Sequence, residues 1–86
     1  MLQAQVLPIA HVRVPAKRAR TLDPAKVDAL AEDILENGQK IPIQCRRDPK
    51  EAEPRYILVE GYHRLEALKA LGEETVESYL VQARVR

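Results

Sequence analysis

Between residues 23 and 37, apolar side chains recur at Val27, Leu30, Ala31, Ile34 and Leu35, the spacing of one stripe along an α-helix. Asp23 is placed to cap that helix, and Pro24 takes the first helical position, where a missing N–H is no loss. Asn37-Gly38 supplies a left-handed stop. A second helix opens just after Gly61, with Leu65, Leu68 and Leu71 facing inward, Ala67 beside them and Gly72 closing it. Between the helices, Ile41 to Arg46 reads as a strand with Pro42 at its beginning. Asp48 to Arg55 is a polar loop carrying Pro49 and Pro54, and Tyr56-Ile57-Leu58-Val59 is a strand apolar enough to be buried on both faces. Val6 to Val14 alternates loosely around Pro8 and ends at Pro15. Proline cannot donate to a sheet ladder, so one or two short strands at a sheet margin are expected there. Thr75 to Val85 predicts a last strand, with Tyr79, Val81, Ala83 and Val85 on one face.

The order strand, helix, strand, strand, helix, strand predicts an α+β fold, a small mixed sheet with two covering helices. With 86 residues and no repeat, linker or low-complexity tract, a single domain over 1–86 is expected. A chain this short buries only about 60–65% of its unfolded surface, so its core is thin.

Composition narrows the function. At 45% hydrophobic and 31% charged residues the chain is a folded one rather than a disordered one. Three Tyr with no Trp or Phe argue against stacking of single-stranded bases. A net charge of +1 gives no general field for nucleic acid, which leaves local patches to consider. The lone Cys45 excludes an internal disulfide and a multi-cysteine zinc site; alternating with Ile41 and Ile43, it reads as a small apolar residue. No apolar run nears the roughly 20 residues that span a bilayer. The opening residues lack the marks of a secretory signal, so no membrane partner and a cytoplasmic location are expected.

The charges carry the chemistry. Pro15 to Leu22 is a cationic loop, with Lys17, Arg18 and Arg20 and no acid before Asp23. A helix N-terminus is partly positive and favours acids, yet Lys26 stands in the first turn of helix one and His63 and Arg64 in the first turn of helix two. An anion shared by the two helix starts removes that conflict, because backbone N–H groups and side chains then point at it together. Gly61, without a Cβ, lets such a ligand approach the backbone. Phosphate suits a planar Arg64 fork and a Lys26 point charge. The plainer reading pairs Arg64 with Glu60 or Glu66 and leaves Lys26 in water. Tyr62 packs either over a base or on the core, and His11 reads as an ordinary strand residue.

Three stretches stand in an order that resembles the ParB/sulfiredoxin superfamily: Thr21-Leu22-Asp23-Pro24-Ala25-Lys26-Val27, Gly38-Gln39-Lys40-Ile41-Pro42-Ile43, and Val59-Glu60-Gly61-Tyr62-His63-Arg64-Leu65-Glu66-Ala67. The resemblance runs from about Val6 to Val85 and implies a ParB N-terminal-like fold whose G-x-x-R turn holds nucleotide phosphates. Sulfiredoxins carry Gly-Cys-His-Arg there. Gly61, His63 and Arg64 match, but Tyr62 stands at the nucleophilic Cys, and a phenol with a pKa near 10 does not replace a thiolate. Lys26 matches a nucleotide-binding Lys of that branch, whereas Ala29 and Asp33 stand at its Ser and Thr. The partition proteins carry Gly-Glu-Arg-Arg; Gly61 and Arg64 match its ends, while Tyr62 replaces the Glu tied to metal-assisted hydrolysis and His63 replaces the first Arg. Their helix-turn-helix unit has no counterpart in these residues. The phosphate cradle survives both comparisons; neither catalytic group does.

The expected function is therefore nucleotide-phosphate binding by a non-catalytic or switch module. Gly61 and the amides after it cradle phosphate, Arg64 and His63 neutralise it, Tyr62 flanks it, Lys26 reaches in from helix one, and Arg18 or Arg20 closes over it. The resemblance lays the Gly38-Gln39 turn alongside. It implies ATP or CTP as the ligand, with Mg2+ only through the nucleotide and no protein-held metal. Two other classes compete: a DNA-interacting partition- or nuclease-like module using Arg13, Lys17, Arg18 and Arg20, and an enzyme transferring phosphoryl from ATP to an unknown acceptor.

Overall fold

Five strands form one mixed sheet in the computed structural model, which describes residues 3–50 and 52–82. In chain order these are β1 (Gln5–Pro8), a 3-10 turn (Ile9–His11), β2 (Val12–Arg13), α1 (Ala16–Ala19), α2 (Pro24–Asn37), β3 (Ile43–Arg47), β4 (Tyr56–Glu60), α3 (Tyr62–Ala70) and β5 (Thr75–Leu80). The sheet order is β1-β5-β3-β4-β2, with β1 antiparallel to β5, β5 parallel to β3, β3 antiparallel to β4 and β4 parallel to β2. The α+β architecture with two long covering helices is the one expected. The proline-bearing stretch at 6–14 does lie at a margin; it splits and supplies both edges. The 3-10 turn carries the chain from one edge to the other, its Ile9 N–H donating to Glu74 O at 2.9 Å. His11 therefore sits in a turn, not in a strand.

The core lies between one face of the sheet and the two long helices, with Ile43, Cys45, Leu58 and Val76 packed against Ile34, Leu65 and Leu68. Helix α2 begins as its sequence dictates: the Asp23 carboxylate accepts the Ala25 N–H at 3.0 Å, with Pro24 next. At its end Gly38 takes φ 75° and donates its N–H to Ile34 O at 2.7 Å. Strand β4 is buried on both faces, as its unbroken apolar run predicts.

Other local expectations give way. Leu35 is not part of the buried stripe but 74% exposed. Its neighbour Ile34 takes the inward position in that turn, 7% exposed. The cationic stretch after Pro15 contains the one-turn helix α1 in place of an uninterrupted loop. On β5 the buried side chains are Val76 and Ser78, opposite in phase to Tyr79 and Val81. Pairing sets that phase, because the core residues Ile43 and Cys45 lie beside Ser78 and Leu80. Ala83 and Val85 fall outside the described residues.

Strand β3 starts two residues late, leaving Ile41 57% exposed, since Pro42 has no N–H to give. The Gln39 side chain extends the ladder instead. Its Nε2 donates to Glu77 O at 2.9 Å and to Ile41 O at 3.1 Å, and its Oε1 accepts the Glu77 N–H at 2.9 Å. Gln39→Ala is expected to lower stability by about 1–2 kcal/mol, read in urea denaturation, with Gln39→Glu little better because a carboxylate cannot donate to Glu77 O.

Candidate functional site

The starts of α2 and α3 meet in a surface hollow of about 270 Å³ lined by Arg18, Thr21, Lys26, Leu30, Glu60, Gly61, Tyr62, His63 and Arg64. The two chain segments that carry its cations are thus brought to one place from about 40 residues apart. Neither helix has an acid in its first turn, and among the described residues no side chain caps α3. Its leading N–H groups are the orphan donors of a helix start, with the positive end of the dipole behind them.

The hollow's cations differ in how they are held. Arg18 donates through Nη2 to Val59 O and lies 3.3 Å from Glu60 Oε1, so it is tied to the end of β4. Glu66 pairs with Lys69 at 3.0 Å. Both carboxylates proposed as partners for Arg64 are therefore engaged elsewhere. Among the described residues neither Arg64 nor Lys26 makes an ion pair. Three cations face a single carboxylate, and two of the three are uncommitted. Tyr62 is half-buried, packed on the edge of the core while its ring reaches the hollow, 6.0 Å from the His63 ring.

Gly61 is required for a different reason from the one its sequence position suggests. It sits at φ 104°, and a Cβ there would lie 2.6 Å from Ile43 Cγ2. The missing side chain makes room for the core, not for a ligand.

Arg20, Gly38 and Gln39 do not line the hollow. Arg20 caps the end of α1, Gly38 ends α2, and the Gln39 amide is consumed by Glu77 and Ile41. Thr21 and Leu30 line it unforeseen; Thr21 spends its hydroxyl on Arg18 O at 2.7 Å. Sequence carries no sign of the Arg18–Glu60 pair or of the bond from the Asp23 N–H to His63 Nε2 at 3.0 Å. Each joins residues about 40 positions apart.

Larger depressions exist elsewhere. The groove between α2 and α3, about 370 Å³, has Leu22, Pro24 and Val27 in its walls with Asp28 and the Glu66–Lys69 pair, so the Lys69 charge is already neutralised, a poor setting for an anion. Cys45 is fully buried, and desolvation raises its pKa above the usual value near 9, partly offset by a hydrogen bond with Ser78. It is not a poised nucleophile. Because the folded state holds this proton more tightly than the unfolded one, the contribution is present below pH 9 and lost as pH rises beyond it. Stability is expected to fall above pH 9 with a slope that Cys45→Ala lacks, as measured by denaturant titrations across that range.

The fold and these residues define a small α+β module with a cationic hollow at two helix starts. The model of the ParB N-terminal domain matches residues 2–86, and the chain belongs to that family, within the ParB/sulfiredoxin superfamily. It is 36% identical over 70 residues to the chloroplastic/mitochondrial sulfiredoxin of Arabidopsis thaliana, a match covering 81% of this chain and 53% of that protein. The chain thus spans about half the length of this curated relative. The crystal structure of Arabidopsis sulfiredoxin superposes with a TM-score of 0.75 at 30% identity, covering 96% of this chain and 86% of that one. The C-terminally truncated chromosome-partitioning protein ParB of Caulobacter crescentus, complexed with CTP-gamma-S, gives a TM-score of 0.81 at 25% identity, covering 95% of this chain and 46% of that one. Among the described residues no helix is long and apolar enough to cross a membrane.

Proposed function

We propose that this chain binds the phosphates of a nucleotide in the hollow where the starts of α2 and α3 meet, as a binding or switch module. The observation that carries the reading is the convergence of Lys26 and Arg64, both without an acidic partner among the described residues, at two helix starts that lack first-turn acids. The amides that open α3 take the phosphate oxygens, Arg64 offers a two-pronged donor, and Lys26 supplies a point charge from α2. Tyr62 flanks the ligand. Arg18, already bound to Val59 O and Glu60, shapes the rim and adds its field. The CTP-gamma-S complex of the Caulobacter relative supports a nucleotide as the ligand class. CTP and ATP are the candidates, and magnesium would arrive on their phosphates.

Among the described residues Glu60 is the only carboxylate lining the hollow, and Arg18 holds it. This favours binding over hydrolysis. Calorimetric titration with CTP, ATP, pyrophosphate and a short DNA duplex, each at two salt concentrations, tests the reading. Pyrophosphate and at least one nucleotide are expected to bind with a shallow salt dependence. If only the duplex binds, with the steep salt slope of many phosphate contacts, the reading is wrong.

A further inference from the structure

His63 is the second residue of α3, and its Nε2 accepts the backbone N–H of Asp23, the N-cap of α2, at 3.0 Å. One imidazole therefore ties the two helix starts together. A ring nitrogen that accepts carries no hydrogen, so this bond requires the neutral ring, with its hydrogen on Nδ1. In the protonated ring both nitrogens are donors, and Nε2 would meet the Asp23 N–H donor against donor. The bond thus excludes the charged form with which an imidazole would neutralise a phosphate.

We propose that His63 is a positioning residue for the anion site: the neutral Nε2 latch holds the start of α2, with Lys26 in its first turn, against the start of α3, with Arg64. The anion then binds to the latched form. This rests on the reading of the hollow as an anion site, and it reverses the role that the sequence suggests for His63. Among the described residues, the charged and titratable groups that share the hollow with the ring are Lys26 of α2, Arg18 of α1, Glu60 of β4, and Tyr62 and Arg64 of its own helix, and Asp23, the N-cap of α2, supplies the latched N–H. Acid is expected to weaken anion binding through His63, although an added positive charge alone would strengthen it.

The test uses pyrophosphate as the probe, with His63→Ala, His63→Gln and Arg64→Ala, and core amides such as Leu65 and Val76 reporting that each variant is folded. The Gln side-chain oxygen can still accept from Asp23 but does not titrate. His63→Ala is expected to weaken binding about tenfold, the equivalent of one neutral hydrogen bond, and His63→Gln to restore most of that loss. As pH falls, wild-type affinity should drop relative to His63→Gln; the titration of the probe itself is common to both and cancels. If His63→Gln binds as weakly as His63→Ala, or wild-type affinity rises against it in acid, the ring is a direct cationic contact and the proposal is overturned. Hydrogen exchange without ligand reads the latch independently. The Asp23 amide should be protected in wild type and His63→Gln, and unprotected in His63→Ala and in acidified wild type. Rapid exchange of Asp23 in the neutral wild type also overturns the proposal. Should Arg64→Ala bind pyrophosphate as wild type does, the anion site itself fails, and exchange at Asp23 still decides whether the latch exists.

Discussion

Gly61→Ala is expected to destabilise the fold by about 2–4 kcal/mol, combining left-handed backbone strain with overpacking of a closed core. The added Cβ would lie 2.6 Å from Ile43 Cγ2 and 2.8 Å from Ile43 Cβ, and Ile43 is only 1% exposed, so it has nowhere to retreat. Gly72→Ala separates the two contributions. Gly72 has φ 78°, yet nothing lies within 4 Å of where its Cβ would be. Its replacement should cost only the backbone strain, about 1–2 kcal/mol. Urea denaturation of both variants makes the comparison. Equal losses would show that Ile43 does not fill the space beside Gly61.

Arg64→Ala is expected to weaken phosphate binding about 10- to 100-fold, the value of the charge-assisted hydrogen bonds that it removes. Arg64→Lys should fall between, retaining the charge without the planar fork. The unliganded protein should respond in the opposite direction. A cation at the positive end of α3, with no ion-pair partner among the described residues, is unfavourable there. Its removal should stabilise the free fold by about 0.3–1 kcal/mol at low salt. Weaker binding together with a firmer apo fold is the signature of a residue kept for a ligand. Loss of both would instead mark Arg64 as part of the scaffold.

Local signals were the legible ones. The Asp23-Pro24 start and Asn37-Gly38 stop of α2, the apolar run of β4 and the prolines that confine β1 and β2 to the margins all act within a few residues. Each follows from capping, periodicity or a missing N–H. The misplaced cations at both helix starts could likewise be read, because the dipole argument needs only the sequence around each helix. What failed depends on partners remote in the chain. The phase of β5 is set by its pairing with β3, which puts the polar Ser78 inside. Gln39 left the site because proline at 42 opens a gap in the ladder that its amide fills. The reason for Gly61 changed for the same cause: Ile43, 18 positions earlier, occupies its Cβ direction.

The proposed site holds one anion by the starts of both long helices at once. Titrating the protein with pyrophosphate while following backbone amide resonances tests it most directly. Saturable shifts are expected to appear together, at one affinity, in residues 25–27 of α2 and in Gly61 with residues 62–65 of α3. Shifts confined to residues 17–20, or at one helix start without the other, would contradict it.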